Sequence, residues 1–206
     1  MRTAVIFATL AASSPAFAGG FGVFGHFGLH NEDVYYYSST AADGSEISSP
    51  ANYRQFQQTQ IIPTTGGGLE FILGDRDDKI TGVFRGYYSV DFPQSDPRDG
   101  TIDVNSESVV EAHREEMYHV GMASMGLNWN MVGNPDGVQA GFSAHLGSGF
   151  LTGDHGEFFQ GMIGPTVNAR LNRQTFLFAD LQGFVRWKKE ASFGGQLVAG
   201  ARFMFD

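Results

Sequence analysis

The chain has 206 residues, enough for one domain, with 28 glycines, 19 phenylalanines and no cysteine. Its formal charge of -9 excludes a nucleic-acid partner, because phosphate binding needs clustered Lys and Arg. The lack of cysteine excludes disulfides and a lipid-anchoring cysteine, and glycine at about twice its usual frequency of ~7% disfavours helices.

The first eighteen residues have the pattern of a secretory signal. Arg2 gives a positive start, residues 4–12 are apolar, and residues 16–18 form a small-x-small cleavage site before Gly19. The apolar run is far shorter than the ~20 residues that a spanning helix needs. We therefore expect residues 1–18 to be a signal peptide and residues 19–206 to be one exported domain.

From residue 20 onward, apolar and polar residues alternate in segments of about ten residues, which is typical of barrel strands. Phe24 breaks the alternation by falling on the polar face. Pro165 lies within the sixth predicted strand and cannot donate a hydrogen bond to a neighbouring strand, so we expect a bulge at Pro165. Eight strands are predicted, over residues 20–30, 64–74, 80–92, 114–131, 138–150, 157–171, 176–187 and 193–205.

The connections between these strands alternate in length. Short turns follow strands two, four and six, whereas longer connections follow the odd-numbered strands, above all the polar, acidic stretches 31–63 and 93–113. No stretch after residue 18 is apolar enough for a spanning helix, so a membrane protein could only be a closed barrel. The predicted fold is all-β: a single closed antiparallel transmembrane barrel of about eight strands, with short periplasmic turns and long extracellular loops.

One face of the predicted strands carries large apolar side chains. In a barrel this narrow they belong on the outside, where they would form a lipid-facing band. The residues expected to point outward are Leu69, Phe71, Leu73, Phe142, Leu146, Leu177, Leu181, Leu197 and Phe203.

The opposite, inward face carries charges that would meet in the lumen. An eight-stranded barrel is only wide enough for side chains to fill it, and buried charges need partners. We expect Glu70 to pair with Arg85, and Arg170 with Asp180, across short turns; a proton or solute path is the alternative. The predicted inward charges are Glu70, Arg85, Asp91, Arg170, Asp180, Arg186 and Arg202.

Two groups of aromatic residues have a separate interpretation. Trp129 and Trp187 lie close to strand ends, where an aromatic girdle meets the headgroups. The tyrosines of the first loop fit a girdle or a recognition surface equally well. These are Tyr35, Tyr36, Tyr37 and Tyr53.

The strand count, the loop order and the alternating last strand, which ends at Phe205 before Asp206, resemble the small bacterial outer-membrane barrels. Examples are the membrane domain of OmpA, OmpX and the OmpW group. The resemblance implies a Gram-negative outer membrane, with lipid and lipopolysaccharide as surroundings and a protein partner at the extracellular loops.

Catalytic and metal sites are not expected. Ser143 and His145 share an inner face and resemble the His, Ser and Glu of outer-membrane lipid A deacylases, but in the reverse chain order. The six histidines repeat no ligand spacing, and no cofactor motif is present.

Four functions follow as hypotheses. The first is a non-enzymatic structural or surface-interaction barrel that acts through long acidic loops. The second is a narrow pore or small-solute conduit of the OmpW kind. A lipid hydrolase and a soluble lipocalin-like carrier are the others, and the carrier would need its apolar face inside.

Overall fold

Every regular element that the structure describes is a β-strand. The structure, a computed structural model, describes residues 19–38, 44, 45, 48, 54–75, 77–92, 117–152, 156–188 and 191–205, with the backbone alone at 33–38 and 54–58. No helix among these residues is long and apolar enough to cross a membrane. The predicted signal segment, the loop 93–113 and Tyr53 lie outside the described residues, as do the side chains of Tyr35, Tyr36 and Tyr37.

Eight antiparallel strands form one sheet that closes on itself. Each strand pairs with its neighbours in chain order, and β8 pairs back onto β1. This confirms the predicted closed, all-β, antiparallel barrel. The strands are β1 (Gly19–Ser38), β2 (Arg54–Leu73), β3 (Ile80–Asp91), β4 (Tyr118–Gly133), β5 (Val138–Leu151), β6 (Gly156–Arg170), β7 (Thr175–Trp187) and β8 (Ala191–Met204).

The two ends of the barrel differ. One end, called the turn end here, carries the short connections 74–79, 134–137 and 171–174, together with the start of β1 and the end of β8. At this end Phe205 N donates to Gly19 O at 2.7 Å. The other end, called the far end, carries connections 39–53 and 92–117, but also the short connections 152–155 and 188–190. The predicted rule that every odd strand is followed by a longer connection is therefore wrong for β5 and β7.

Strands β1 and β2 extend well beyond the barrel wall. The β1–β8 pairing stops at His30 and Gly194, whereas β1 and β2 stay in register to Ser38 and Arg54. Most of the predicted loop 31–63 is therefore strand. In sequence this two-stranded extension is rich in Tyr, Gln and Thr and has no regular apolar alternation, which is why the alternation pattern failed to reveal it.

Pro165 does not produce the predicted bulge. The β6–β7 ladder is interrupted between Ile163 and Thr166 but resumes in the same register, and Phe142 of β5 still faces Pro165. The proline ring is exposed on the outer face, so the ladder loses a donor without gaining a residue. The register shift of the sheet lies instead between Asn130 and Val132.

Side chains alternate between the lumen and the outer surface along the strands, except at the register shift of β4, where Met131 and Val132 are both exposed. Of the nine residues expected to point outward, eight are exposed and Phe203 is half-buried against Phe21, with ring centroids 5.1 Å apart. Trp129 of β4 is exposed near the turn end, and Trp187 is exposed where β7 ends at the far end. The inward residues form the core of the molecule, and their arrangement decides whether the lumen is open.

Candidate functional site

The lumen brings most of the predicted inward charges together in a turn-end network, defined here as Glu70, Arg85, Asp180 and Arg202. Arg85 Nε donates to Glu70 Oε2 at 3.0 Å, and Arg85 Nη2 donates to Asp180 Oδ2. Arg202 Nε donates to Glu70 Oε1 at 2.6 Å. Two acids and two bases are thus mutually neutralised, and all four side chains are buried.

Sheet register explains one half of this network and barrel closure the other. Glu70 and Arg85 face each other directly across the β2–β3 hairpin, as predicted. Asp180 lies on β7, four strands from β3 around the closed ring, so the Arg85–Asp180 contact crosses the lumen. Because the two side chains meet across the lumen, they leave little space for a continuous column of water along the barrel axis.

Aromatic rings flank the two guanidinium groups. Arg85 Cζ lies 5.5 Å from the ring centroids of both Phe24 and Phe178, and Arg202 Cζ lies 3.9 Å from that of Phe178. Such contacts add a favourable cation–π term in a desolvated site. Phe24, which breaks the sequence alternation, therefore points inward because it packs against the network.

The predicted Arg170–Asp180 pair is wrong. Arg170 contacts Asp136 and donates from Nε to Asn172 O at 2.9 Å, at the rim of the turn end. Its cross-strand partner is Phe176, four residues before Asp180. Asp180 instead accepts from Arg85 and, at 2.5 Å, from Thr166 Oγ1.

A second group of charges closes the other half of the lumen. This far-end cluster consists of His30, Glu32, Asp91, Arg186 and Lys188. Arg186 Nη1 donates to Asp91 Oδ2 at 2.9 Å, another contact between β7 and β3. His30 Nε2 lies 3.2 Å from Glu32 Oε2 and 3.7 Å from Asp91 Oδ2, and Lys188 Nζ donates to Glu32 Oε1.

Between these two charged layers the lumen is filled by neutral side chains. Tyr87 Oη donates to Met122 Sδ at 2.8 Å, and Gln196 Nε2 donates to Gln182 Oε1 at 2.9 Å. Met122 and Met162 belong to a buried apolar cluster that reaches the far-end cluster, where the ring centroids of Phe158 and Phe184 lie 4.7 Å and 5.8 Å from Arg186 Cζ. The interior thus consists of charged, neutral and charged layers in sequence along the axis.

Ser143 and His145 do not form a hydrolytic arrangement. Both are buried in the lumen. Ser143 Oγ accepts from Gln182 Nε2 at 2.8 Å and lies 3.4 Å from Gly164 O, so its hydrogen bonds are made to neighbours other than His145. Within the described residues, neither ring nitrogen of His145 has a hydrogen-bond partner. A general base must lie within hydrogen-bond reach of its nucleophile, and this pair does not meet that requirement.

A small cavity opens at the turn end, with a volume of about 40 Å³. Its polar wall is formed by Thr81, Asn130, Gln139, Asn168 and Arg202, over an apolar floor that includes Phe176. This space suits a few water molecules bound to amide groups. In the part of the chain that the structure describes, no group of three or more His, Asp or Glu residues is arranged to hold a metal ion.

No protein-family model matches the chain, and no curated protein matches it. Fold and site geometry therefore carry the functional argument.

Sequence reasoning missed several lumen residues for two different reasons. Thr166, Asn168 and Gln160 fall on inward positions of β6, and the period of two alone could have identified them. Glu32 and Lys188 lay in segments interpreted as loops, so alternation gave no signal for them. His30 lies within the predicted strand 20–30, but its two carboxylate neighbours, Glu32 and Asp91, come from outside that strand.

Proposed function

We propose that this chain is an integral outer-membrane β-barrel with a closed lumen, which serves without catalysis as a structural or surface-interaction protein. The observation that carries the proposal is the outer face of the barrel. All eight strands expose large apolar side chains outward, while the charged side chains described in the strands turn inward, apart from Glu157 near the far end. An apolar surface of this extent would promote aggregation in water, whereas it is the outer surface expected of a barrel in a lipid bilayer.

The same observation disfavours a soluble lipocalin-like carrier. A carrier would place its apolar face around an internal ligand and its polar face in water. Here the inner face holds Glu70, Arg85, Asp91, Asp180 and Arg186, and the apolar residues are outside.

The layered lumen favours anchoring over transport. Two cross-lumen contacts, Arg85–Asp180 and Arg186–Asp91, occupy the space that a solute would need. The lack of a hydrogen bond between Ser143 and His145 disfavours the hydrolase. The resemblance to small outer-membrane barrels and the signal pattern of residues 1–18 support export to the outer membrane, where the acidic far-end loops would offer a surface to a protein partner or to lipopolysaccharide.

Placing a charge on the outer face tests the membrane assignment. Leu181 lies in the middle of β7 and is exposed, so in lipid vesicles Leu181→Arg should lower the free energy of unfolding by about 2–4 kcal/mol. Leu171, exposed in the turn after β6, is the matched control, and Leu171→Arg should cost about 0–1 kcal/mol at the edge of the bilayer.

Denaturant unfolding in vesicles measures both changes, and cell fractionation of the full chain measures its location. Equal, small effects of the two substitutions, together with recovery of the protein in the soluble periplasmic fraction, would overturn the proposal.

A further inference from the structure

A polar patch interrupts the apolar outer face near the far end. It consists of Tyr88 of β3, His119 of β4 and Thr152, the first residue after β5. All three side chains are exposed, and His119 is the one histidine of the described strands that points outward, since His26, His30 and His145 are buried.

The three residues are held in a fixed geometry. The Tyr88 and His119 rings are stacked, with centroids 5.8 Å apart and an interplanar angle of 24°, and Tyr88 Oη is hydrogen-bonded to His119 Nδ1. His119 N donates to Thr152 Oγ1 at 3.0 Å, and Thr152 N donates back to His119 O at 2.9 Å. These contacts hold the His119 ring and the Thr152 hydroxyl in place on the exposed outer surface.

The patch lies at the border between apolar and polar outer surface. On its turn-end side, the outer face carries the exposed side chains of Phe150 and Met125, together with the hydroxyl of Ser148. The Phe150 ring lies across Gly121, where a Cβ atom would come within 2.6 Å of the ring, and so extends an aromatic platform towards Tyr88. At the level of Phe150, β6 carries the exposed charge of Glu157. In a membrane this level corresponds to the headgroup region.

We propose that this patch binds the phosphate of a lipid headgroup, an inference that rests on the proposed membrane location. A Tyr88 hydroxyl that donates to Nδ1 leaves the proton of a neutral imidazole on Nε2, which then donates outward. Thr152 Oγ1 accepts from the His119 backbone and keeps its own hydroxyl proton for a second donation. Two neighbouring donors above an aromatic platform suit a phosphate whose acyl chains continue along Phe150.

The test uses the whole barrel in a phosphate-free, non-ionic detergent. Dihexanoyl phosphatidate is titrated in, and NMR follows the side-chain nitrogen signals of isotope-labelled His119 and the backbone amide signals of Phe150 and Thr152. We expect saturable shifts with this lipid and none with dihexanoylglycerol, which lacks the phosphate.

Variants then assign the donors. His119→Phe keeps the stacked ring, and Thr152→Val keeps the side-chain volume; each should weaken binding about three- to tenfold, the factor expected for one lost hydrogen bond. Ser148→Ala is the matched control, because Ser148 is an exposed hydroxyl on β5 outside the patch, and it should leave binding unchanged.

Three results would overturn the inference: equal shifts with dihexanoylglycerol, equally tight binding of inorganic phosphate, or equal weakening by Ser148→Ala. Insertion into phosphatidylcholine vesicles is scored separately by protease protection. Failure of the wild type to insert contradicts the proposed function, whereas insertion without a phosphate-dependent shift contradicts only the headgroup site.

Discussion

Arg85 is the side chain on which the turn-end network depends most. It contacts Glu70 beside it and Asp180 across the lumen, whereas the direct ion pair of Arg202 is with Glu70. Without Arg85, Glu70 still has its ion pair with Arg202, whereas Asp180 loses its direct ion pair. The cost therefore falls mainly on a carboxylate that the structure keeps fully out of water.

Arg85→Leu should lower the free energy of unfolding by about 3–5 kcal/mol, the range for a buried ion pair that loses one partner. Arg170→Leu is the matched control, because the Asp136 side of its pair is exposed and such pairs contribute about 0–1 kcal/mol. Denaturant midpoints of both variants in the same vesicles give the comparison. If the two midpoints move by the same amount, the lumen pair is solvated, and the case for a water-filled interior becomes stronger.

The sequence could predict contacts between residues of the same hairpin. It could not predict contacts across the lumen, which form only when the barrel closes. Glu70 and Arg85 flank a short connection, so the turn fixes their register and the pair follows from counting residues. The same counting placed Arg170 opposite Asp180, although Arg170 faces Phe176. The true partner of Asp180 lies on β3, 95 residues away in sequence, and no local pattern indicates it.

At the scale of elements, β6 shows how a proline is accommodated within a closed sheet. Next to Pro165, Gly164 faces inward, and a Cβ atom there would lie 1.9 Å from Leu181 O. Because Gly164 has no side chain, β7 can approach β6 closely beside Pro165, the residue that has no backbone N–H to donate. Nothing in the sequence distinguishes Gly164 from the other glycines.

Gly164→Ala should therefore destabilise the barrel by about 1–3 kcal/mol, as expected for an added methyl group that forces a backbone shift. Gly183→Ala on β7 is the control, since its nearest neighbour would lie 3.9 Å away and its Cβ would point outward. Thermal or denaturant unfolding of the two variants measures the difference. A tolerated Gly164→Ala would show that β6 and β7 are further apart than the structure has them.

The strands also show where the alternation of apolar and polar residues is sufficient to predict a strand and its limits. Strands β3 to β8 begin or end within a few residues of the predicted limits, because each has one apolar and one polar face. The polar halves of β1 and β2 have no such contrast. Their backbone ladder continues in register to Ser38 and Arg54, and hydropathy cannot detect backbone pairing.

For the whole molecule, the layered lumen predicts that ions do not pass. Purified protein should give negligible single-channel conductance in planar bilayers, because the Arg85–Asp180 and Arg186–Asp91 contacts both cross the lumen. Heat-denatured protein from the same preparation controls for detergent artefacts. Steady conductance steps that change with Arg186→Lys, but not with Arg173→Lys in the exposed turn, would favour the pore instead.

The pairing of β8 with β1 sets this barrel apart from an open meander during folding. Seven of its strand pairs join segments that follow one another in the chain, whereas this seam brings Gly20 to Met204. Loop-closure entropy opposes such a contact, and until it forms, two strand edges remain free to pair with other chains. Folding therefore has a late, high-contact-order step at the seam, and agents that bind a lone β1 or β8 edge would trap the protein just before completion.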